Sequence, residues 1–282
     1  MKYLKLILVF ILSTTLLSCD KVDFKYEKVS EDLKLNFEIN SKHFLIYDVN
    51  NDSILISNLS DEIFYPASLT KLVTLDTLLH LENDLDNNYS SYTHEQFDEL
   101  IEMNASIAGL GYNKDYSLNE LIYALILPSG ADAAKCIENY FESKGLNLVE
   151  EMNKLCVNLS MNNSNFTNST GLHDDNLYTT LDDYLLIIKD LLNFDKAKEV
   201  LTTMEYTLHD DLVVESTLWA LKDNQNVEVL GGKTGYTGEA GRCLCVYYKY
   251  DNNYYILLLS SAYNEGYGHI EDAISIFELL YN

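Results

Sequence analysis

Two short β patterns open the foldable part of this 282-residue chain and three more close it, with helix signals filling most of the stretch from about residue 93 to 223. His43–Asp48 and Ser53–Ser57 are apolar runs on either side of Val49-Asn50-Asn51-Asp52, a hairpin signal. The second β set is Val227–Leu230, Cys243–Tyr250 and Tyr254–Ala262, the last two joined through Asp251-Asn252-Asn253. Ile270–Leu280 then reads as a helix, with Ile270, Ala273, Ile274, Phe277 and Leu280 on one stripe. Between the two sets, a helix is predicted from Ser68 to about Leu81. Thr93-x-x-Gln96 and Ser117-x-x-Glu120 are capping boxes, and Thr180-x-x-Asp183 is a weaker start signal. Strands so far apart in sequence share a core most simply as one sheet. The expectation is therefore one α+β domain over residues 41–282, with an all-α subdomain at about 85–225 inserted in it. The chain is long enough to bury a sizeable core.

Only two prolines occur, and each abuts a segment with candidate chemistry. Pro66 precedes Ala67-Ser68-Leu69-Thr70-Lys71. A serine followed at i+3 by lysine on a helix puts hydroxyl and amine on one face. That is the arrangement of a serine nucleophile activated by an adjacent amine. Pro128 stops the helix ending near Leu127 and introduces Ser129-Gly130-Ala131-Asp132. Five of the twelve glycines fall in Gly231–Gly241, around Lys233-Thr234-Gly235-Tyr236-Thr237. Glycine lets a second backbone approach closely, as a substrate lying alongside as an extra antiparallel strand requires. Singly, each segment has a plainer reading. Ser68 reads as a helix N-cap, Lys71 as a solvated lysine, Ser129 as a turn residue and Lys233 as a surface lysine. Ser18 and Lys21 even repeat the first spacing outside the domain.

The first nineteen residues form a leader. Lys2 and Lys5 make a positive start, Leu6–Leu17 an apolar run, and Leu16-Leu17-Ser18-Cys19 follows. The run is too short to span a bilayer, which takes about 20 residues, so it is read as an export signal. Residues 20–40 are polar and charged, as in a tether. The chain holds 19 basic and 44 acidic residues, net −25. Loss of residues 1–19 removes Lys2 and Lys5 and no acid, leaving 17 − 44 = −27. Such a surface is a poor match for nucleic acid, whose binding relies on Lys and Arg, or for anionic headgroups. Two lysines meeting in one cleft would be a local positive exception. Of the four other cysteines, Cys243 and Cys245 share one face of a strand and are poorly placed to pair. Cys136 reads as core, and the set is too sparse for a disulfide scaffold. His94-Glu95 lacks the second histidine of a zinc motif, and no metal or cofactor is expected from the spacings.

Tyr65-Pro66-Ala67-Ser68-Leu69-Thr70-Lys71, Leu127-Pro128-Ser129-Gly130-Ala131-Asp132-Ala133-Ala134 and Gly231–Gly241 stand in the order and spacing of the penicillin-recognising serine D-Ala-D-Ala carboxypeptidases. The resemblance spans roughly residues 40–282 and rests on a Ser-x-x-Lys, Ser-x-x and Lys-Thr-Gly set. Asn168-Ser169-Thr170-Gly171-Leu172 also looks like the family's Asn-x-x-Gly-Leu segment. The resemblance implies a β-lactamase/transpeptidase-like fold, with an antiparallel five-stranded sheet flanked by helices. It implies an acyl-enzyme on Ser68, with Lys71 as base, its pKa depressed by burial beside the cationic Lys233. It further implies that Ser129 relays a proton to the leaving D-alanine. The backbone N–H groups of Ser68 and Tyr236 would form the oxyanion hole, and Lys233, Thr234 and Thr237 would hold the terminal carboxylate. Leu-x-Ser-Cys resembles a lipoprotein box, implying lipid on Cys19 and an extracytoplasmic, membrane-anchored protein. The implied partners are peptidoglycan stem peptides ending in D-Ala-D-Ala, with β-lactams as inhibitors.

Two departures stand out. Ala131 occupies a place where many relatives carry asparagine, and Arg242 is the only arginine. Relatives often use an arginine beyond the Lys-Thr-Gly strand to grip the carboxylate. None occurs in Ile256–Glu278, leaving Lys233 and the threonines, with His269 as a weaker helper. His173 is read as structural. Two rival functions share the fold. A serine β-lactamase of class A needs a glutamate for deacylation, and Phe166–Leu177 has none. A non-catalytic penicillin- or wall-binding lipoprotein would keep the cleft without turnover.

Overall fold

The computed structural model describes residues 39–263 and 266–281. In chain order the elements are β1 (Ser41–Asp48), β2 (Ser53–Asn58), α1 (Thr70–Leu81), β3 (Tyr89–Ser90), α2 (His94–Glu102), β4 (Tyr116–Ser117), α3 (Leu118–Ile126), α4 (Ala131–Ser143), α5 (Leu148–Asn158), α6 (Leu181–Leu191), α7 (Asp195–Thr202), β5 (Glu205–Thr207), β6 (Val213–Glu215), β7 (Glu228–Thr237), β8 (Gly241–Tyr250), β9 (Asn253–Ala262) and α8 (Gly268–Tyr281). Five strands make one antiparallel sheet in the order β2-β1-β9-β8-β7. The sheet joins the first strands of the chain to the last, as the split β pattern requires. Asp251 and Asn252 both take positive φ, giving the β8–β9 hairpin a two-residue turn whose twist matches the strands.

Alternation along each strand feeds two cores. Leu45, Tyr47, Cys243, Cys245, Ile256 and Leu258 face the helical side. Phe44, Ile46, Leu244, Val246, Leu257 and Leu259 face α8, whose Ile270, Ala273, Ile276 and Phe277 close that layer. Ile274 and Leu280, expected on the same stripe, pack at its margin. The Thr93–Gln96 and Ser117–Glu120 capping boxes are formed, and Thr180 caps α6 through the Asp183 N–H.

Two elements differ from expectation. The strand predicted to end at Leu230 runs on as β7 through the glycines to Thr237, because its ladder with β8 compensates for weak strand formers. The helix expected to start at Ser68 begins at Thr70, after a 3₁₀ turn over Ala67–Leu69. Residues Thr70 to Leu79 of α1 are all buried, so it is a central helix and not an amphipathic one.

Candidate active site

The turn that carries Ser68 is held from both sides by glycine. Pro66 enters the 3₁₀ turn at φ −73°, and Ala67 takes φ +48°, a conformation costly for a residue with a Cβ. Gly171, at φ +80°, lies so close that a Cβ there would sit 1.9 Å from the Ala67 carbonyl oxygen and 2.9 Å from the Ser68 nitrogen. On the other side, a Cβ on Gly235 would come within 3.2 Å of the nitrogens of Ser68 and Leu69. Gly232 lies against the Cys245 carbonyl and Gly231 against that of Leu201. The backbone these glycines admit is the protein's own, and not only a substrate's. β7 is nonetheless an edge strand, with one side of its ladder free.

Ser68 caps no helix N–H; the Lys71 ammonium donates to its hydroxyl at 3.1 Å and to the Thr170 carbonyl at 2.5 Å. Asn168 shapes the turn carrying that carbonyl, its side-chain oxygen accepting from the N–H groups of Thr170 and Gly171 and from the Thr170 hydroxyl. Lys71 is 2% exposed, and burial pushes its pKa down to about 7, with Asp132 pulling the other way. Burial is the largest cause, and the expected repulsion between the two lysines shows at Lys233. Lys233 is fully buried, and burial together with Lys71 holds its pKa well below the usual lysine range. Its ammonium donates to the Thr234 carbonyl at 2.8 Å.

A cleft of about 310 Å³ lies over this pair. Ser68, Lys71, Ala131, His173, Tyr236 and Thr237 are among its lining residues. Ser129, Lys233 and Thr234 are not. Ser129 is buried at φ +67°, its hydroxyl without a partner among the described residues. The Thr234 hydroxyl is paired with that of Thr217 at 2.7 Å, and the Thr237 hydroxyl accepts the Ala240 N–H at 3.0 Å. His269 is buried beyond the cleft lining, its pKa pushed down to about 4 by burial and by Arg242. Arg242 sits directly opposite Tyr236 in the β7–β8 ladder, its guanidinium 4.8 Å from the Tyr236 ring centroid. Cys19 lies outside the described residues.

Sequence reasoning missed Asp132 and Thr170. The buried Asp132 carboxylate accepts from the N–H groups of Ala108, Gly109 and Leu110 at 2.8–3.0 Å, fixing the chain beyond Met103–Ser106, which forms part of the cleft wall. An acid in the first turn of α4 is an ordinary helix signal. Nothing local marks it as the anchor of a loop over twenty residues upstream. Thr170 acts through its carbonyl, which no side-chain pattern reveals.

A buried lysine donates to the Ser68 hydroxyl close to the lysine–threonine–glycine edge strand, and solved structures share the fold that brings them together. The Streptomyces K15 DD-transpeptidase superposes with a TM-score of 0.75 at 20% identity, covering 87% of this chain and 97% of its own. A D-alanyl-D-alanine carboxypeptidase from Mycobacterium tuberculosis superposes at 0.73 and 17%, covering 87% and 93%. The chain belongs to the D-alanyl-D-alanine carboxypeptidase family, whose sequence model matches residues 27–259. The D-alanyl-D-alanine carboxypeptidase DacF of Bacillus subtilis is 27% identical over 209 residues, 72% of this chain and 53% of its own length. A D-alanyl-D-alanine endopeptidase of Escherichia coli is 25% identical over 246 residues, 84% of this chain and 76% of its own. The chain thus spans about half of the first relative's length and three quarters of the second's.

Proposed function

We propose that this chain is a serine-type D-Ala-D-Ala carboxypeptidase acting on peptidoglycan stem peptides. The observation that carries the reading is the 3.1 Å contact between the Ser68 hydroxyl and a lysine buried enough to be neutral near pH 7. Lys71 Nζ takes the Ser68 proton as Oγ attacks the carbonyl carbon of the penultimate D-alanine. The N–H groups of Ser68 and Tyr236 stabilise the oxyanion. Ser129 relays the proton held by Lys71 to the amine of the departing D-alanine as its C–N bond breaks, and water then releases the acyl group from Ser68. The substrate carboxylate is held by Lys233, Thr234 and Thr237. A carboxylate arriving beside Lys233 favours its charged form. The absence of a glutamate in Phe166–Leu177 supports prolonged acylation by penicillin over β-lactamase turnover.

The Leu-x-Ser-Cys leader supports an extracytoplasmic protein held to the membrane by lipid on Cys19. A fluorescent penicillin followed by mass mapping tests the catalytic reading. The label is expected on Ser68 and is expected to vanish in Ser68→Ala. A label on another serine, or none at saturating drug, overturns the assignment. Release of D-alanine from a D-Ala-D-Ala peptide separates a turning-over enzyme from a binding protein.

A further inference from the structure

Three of the polar side chains buried along α1 have hydrogen-bond partners, while the Thr70 hydroxyl and Asp76 have none among the described residues. Lys71 donates to the Thr170 carbonyl, Thr74 to that of Ser169 at 2.8 Å and Thr77 to that of Val73 at 2.8 Å. Asp76 is different. It is 0% exposed, and neither of its carboxylate oxygens has a hydrogen-bond partner among the described residues. One turn on, His80 Nε2 lies 3.8 Å from Asp76 Oδ1, and it meets Asp190 Oδ2 of α6 at 2.5 Å. One ligand atom from each of the three lies within 4.8 Å of the others. The Phe194 ring meets the His80 imidazole edge-on at 5.0 Å and fixes its plane. A cavity of about 200 Å³ lined by His80, Asp190, Thr77, Glu151 and Lys154 opens beside the group.

We propose that Asp76, His80 and Asp190 bind a divalent cation of the zinc class and that the cation clamps α1 to α6. A buried carboxylate without a hydrogen bond is costly unless something of opposite charge meets it. Asp190 of α6, which shares His80 with it, adds a second carboxylate to the group. Two carboxylates balance one dication. One imidazole with two carboxylates suits zinc, at bond lengths of about 2.0–2.2 Å, whereas magnesium and calcium prefer oxygen donors alone. Asp190 and His80 are partly exposed, so the 2.5 Å contact can open to admit the ion, and water can fill the side facing the cavity. The clamp would sit on the helix whose first turn carries Lys71, fixing its far end. The expectation of no metal rested on local spacing. Two of these ligands are four residues apart on one helix face, but the third is 110 residues from His80 and comes beside them only on folding.

The full chain, stripped of metal by a chelator, should bind one equivalent of Zn²⁺ by calorimetry. Co²⁺ in its place should give visible absorption of a nitrogen–oxygen site. At a free Zn²⁺ concentration of about 100 Kd, the folded-to-unfolded ratio should rise about 100-fold. Asp76→Asn and His80→Ala should each weaken binding at least tenfold and abolish the stabilisation. His80 is exposed enough that its variant is expected to fold, so it carries the test alone if Asp76→Asn does not. Penicillin labelling of Ser68 should persist without metal and in both variants, which separates this proposal from the catalytic one. No saturable binding below about 100 μM Zn²⁺, or unchanged affinity in His80→Ala, overturns the site.

Discussion

Lys71 accepts a proton only when it carries none, so on the proposed mechanism its depressed pKa sets the pH at which Ser68 becomes reactive. With that pKa pushed down to about 7, the neutral form is lost as pH falls through 7 and gained as pH rises through it. The second-order rate constant for penicillin acylation should therefore rise with pH, with a midpoint near 7. Lys71→Ala should lower it by orders of magnitude and remove that limb. A flat profile between pH 5 and 9, or a fast Lys71→Ala variant, would show that another group is the base. Gly171 makes a second prediction at this scale. Its left-handed φ and the 1.9 Å approach to the Ala67 carbonyl leave no room for a methyl group. Gly171→Ala should cost more than about 1 kcal/mol of stability and slow acylation at least tenfold, because the Ser68 N–H moves with the displaced turn. Wild-type acylation in a folded Gly171→Ala chain would mean that the close approach is dispensable.

The element that shapes the cleft from the helical side is the N-terminus of α4. Asp132 there receives three N–H groups from residues 108–110, and the Ala131 N–H donates to the Ser106 carbonyl at 2.7 Å. Asp132→Ala leaves those donors unmet in a buried place and should destabilise the fold by about 2–4 kcal/mol. Asp132→Asn is the more informative change. The Asp132 charge favours protonated Lys71, so its removal should move the acylation midpoint to lower pH. A midpoint that stays near 7 in Asp132→Asn would remove Asp132 from the electrostatics of the pair while leaving its loop-holding role.

At the scale of the whole molecule, the proposed lipid anchor can be tested apart from the folded domain. None of the helices among the described residues is long and apolar enough to cross a membrane. If lipid on Cys19 is the anchor, Cys19→Ala should block processing or release the protein from the membrane fraction, while the domain keeps its Ser68 label. A single acyl chain holds only marginally, so stable retention requires more than one. Fractionation followed by penicillin labelling checks both halves. A Cys19→Ala protein that stays in the membrane would point to an uncleaved leader or to another anchor.

Local chemistry determined much of this. The apolar runs of β1, β8 and β9 were legible because both faces of the sheet are covered, the Asp251-Asn252 turn needs residues tolerant of positive φ, and the side-chain caps of α2, α3 and α6 are written in three-residue spacings. Ser68 and Lys71 were visible for the same reason, since one helical turn separates them. Only the tertiary structure decided the rest. Burial is a property of the packed chain, and it is burial that lowers the Lys71 pKa and encloses Asp76 with no hydrogen-bond partner among the described residues. The glycines of β7 marked a close approach without saying by what. Folding assigns Gly235 to the Ser68 turn, Gly232 to β8 and Gly231 to α7, because the backbones that meet there come from remote parts of the chain.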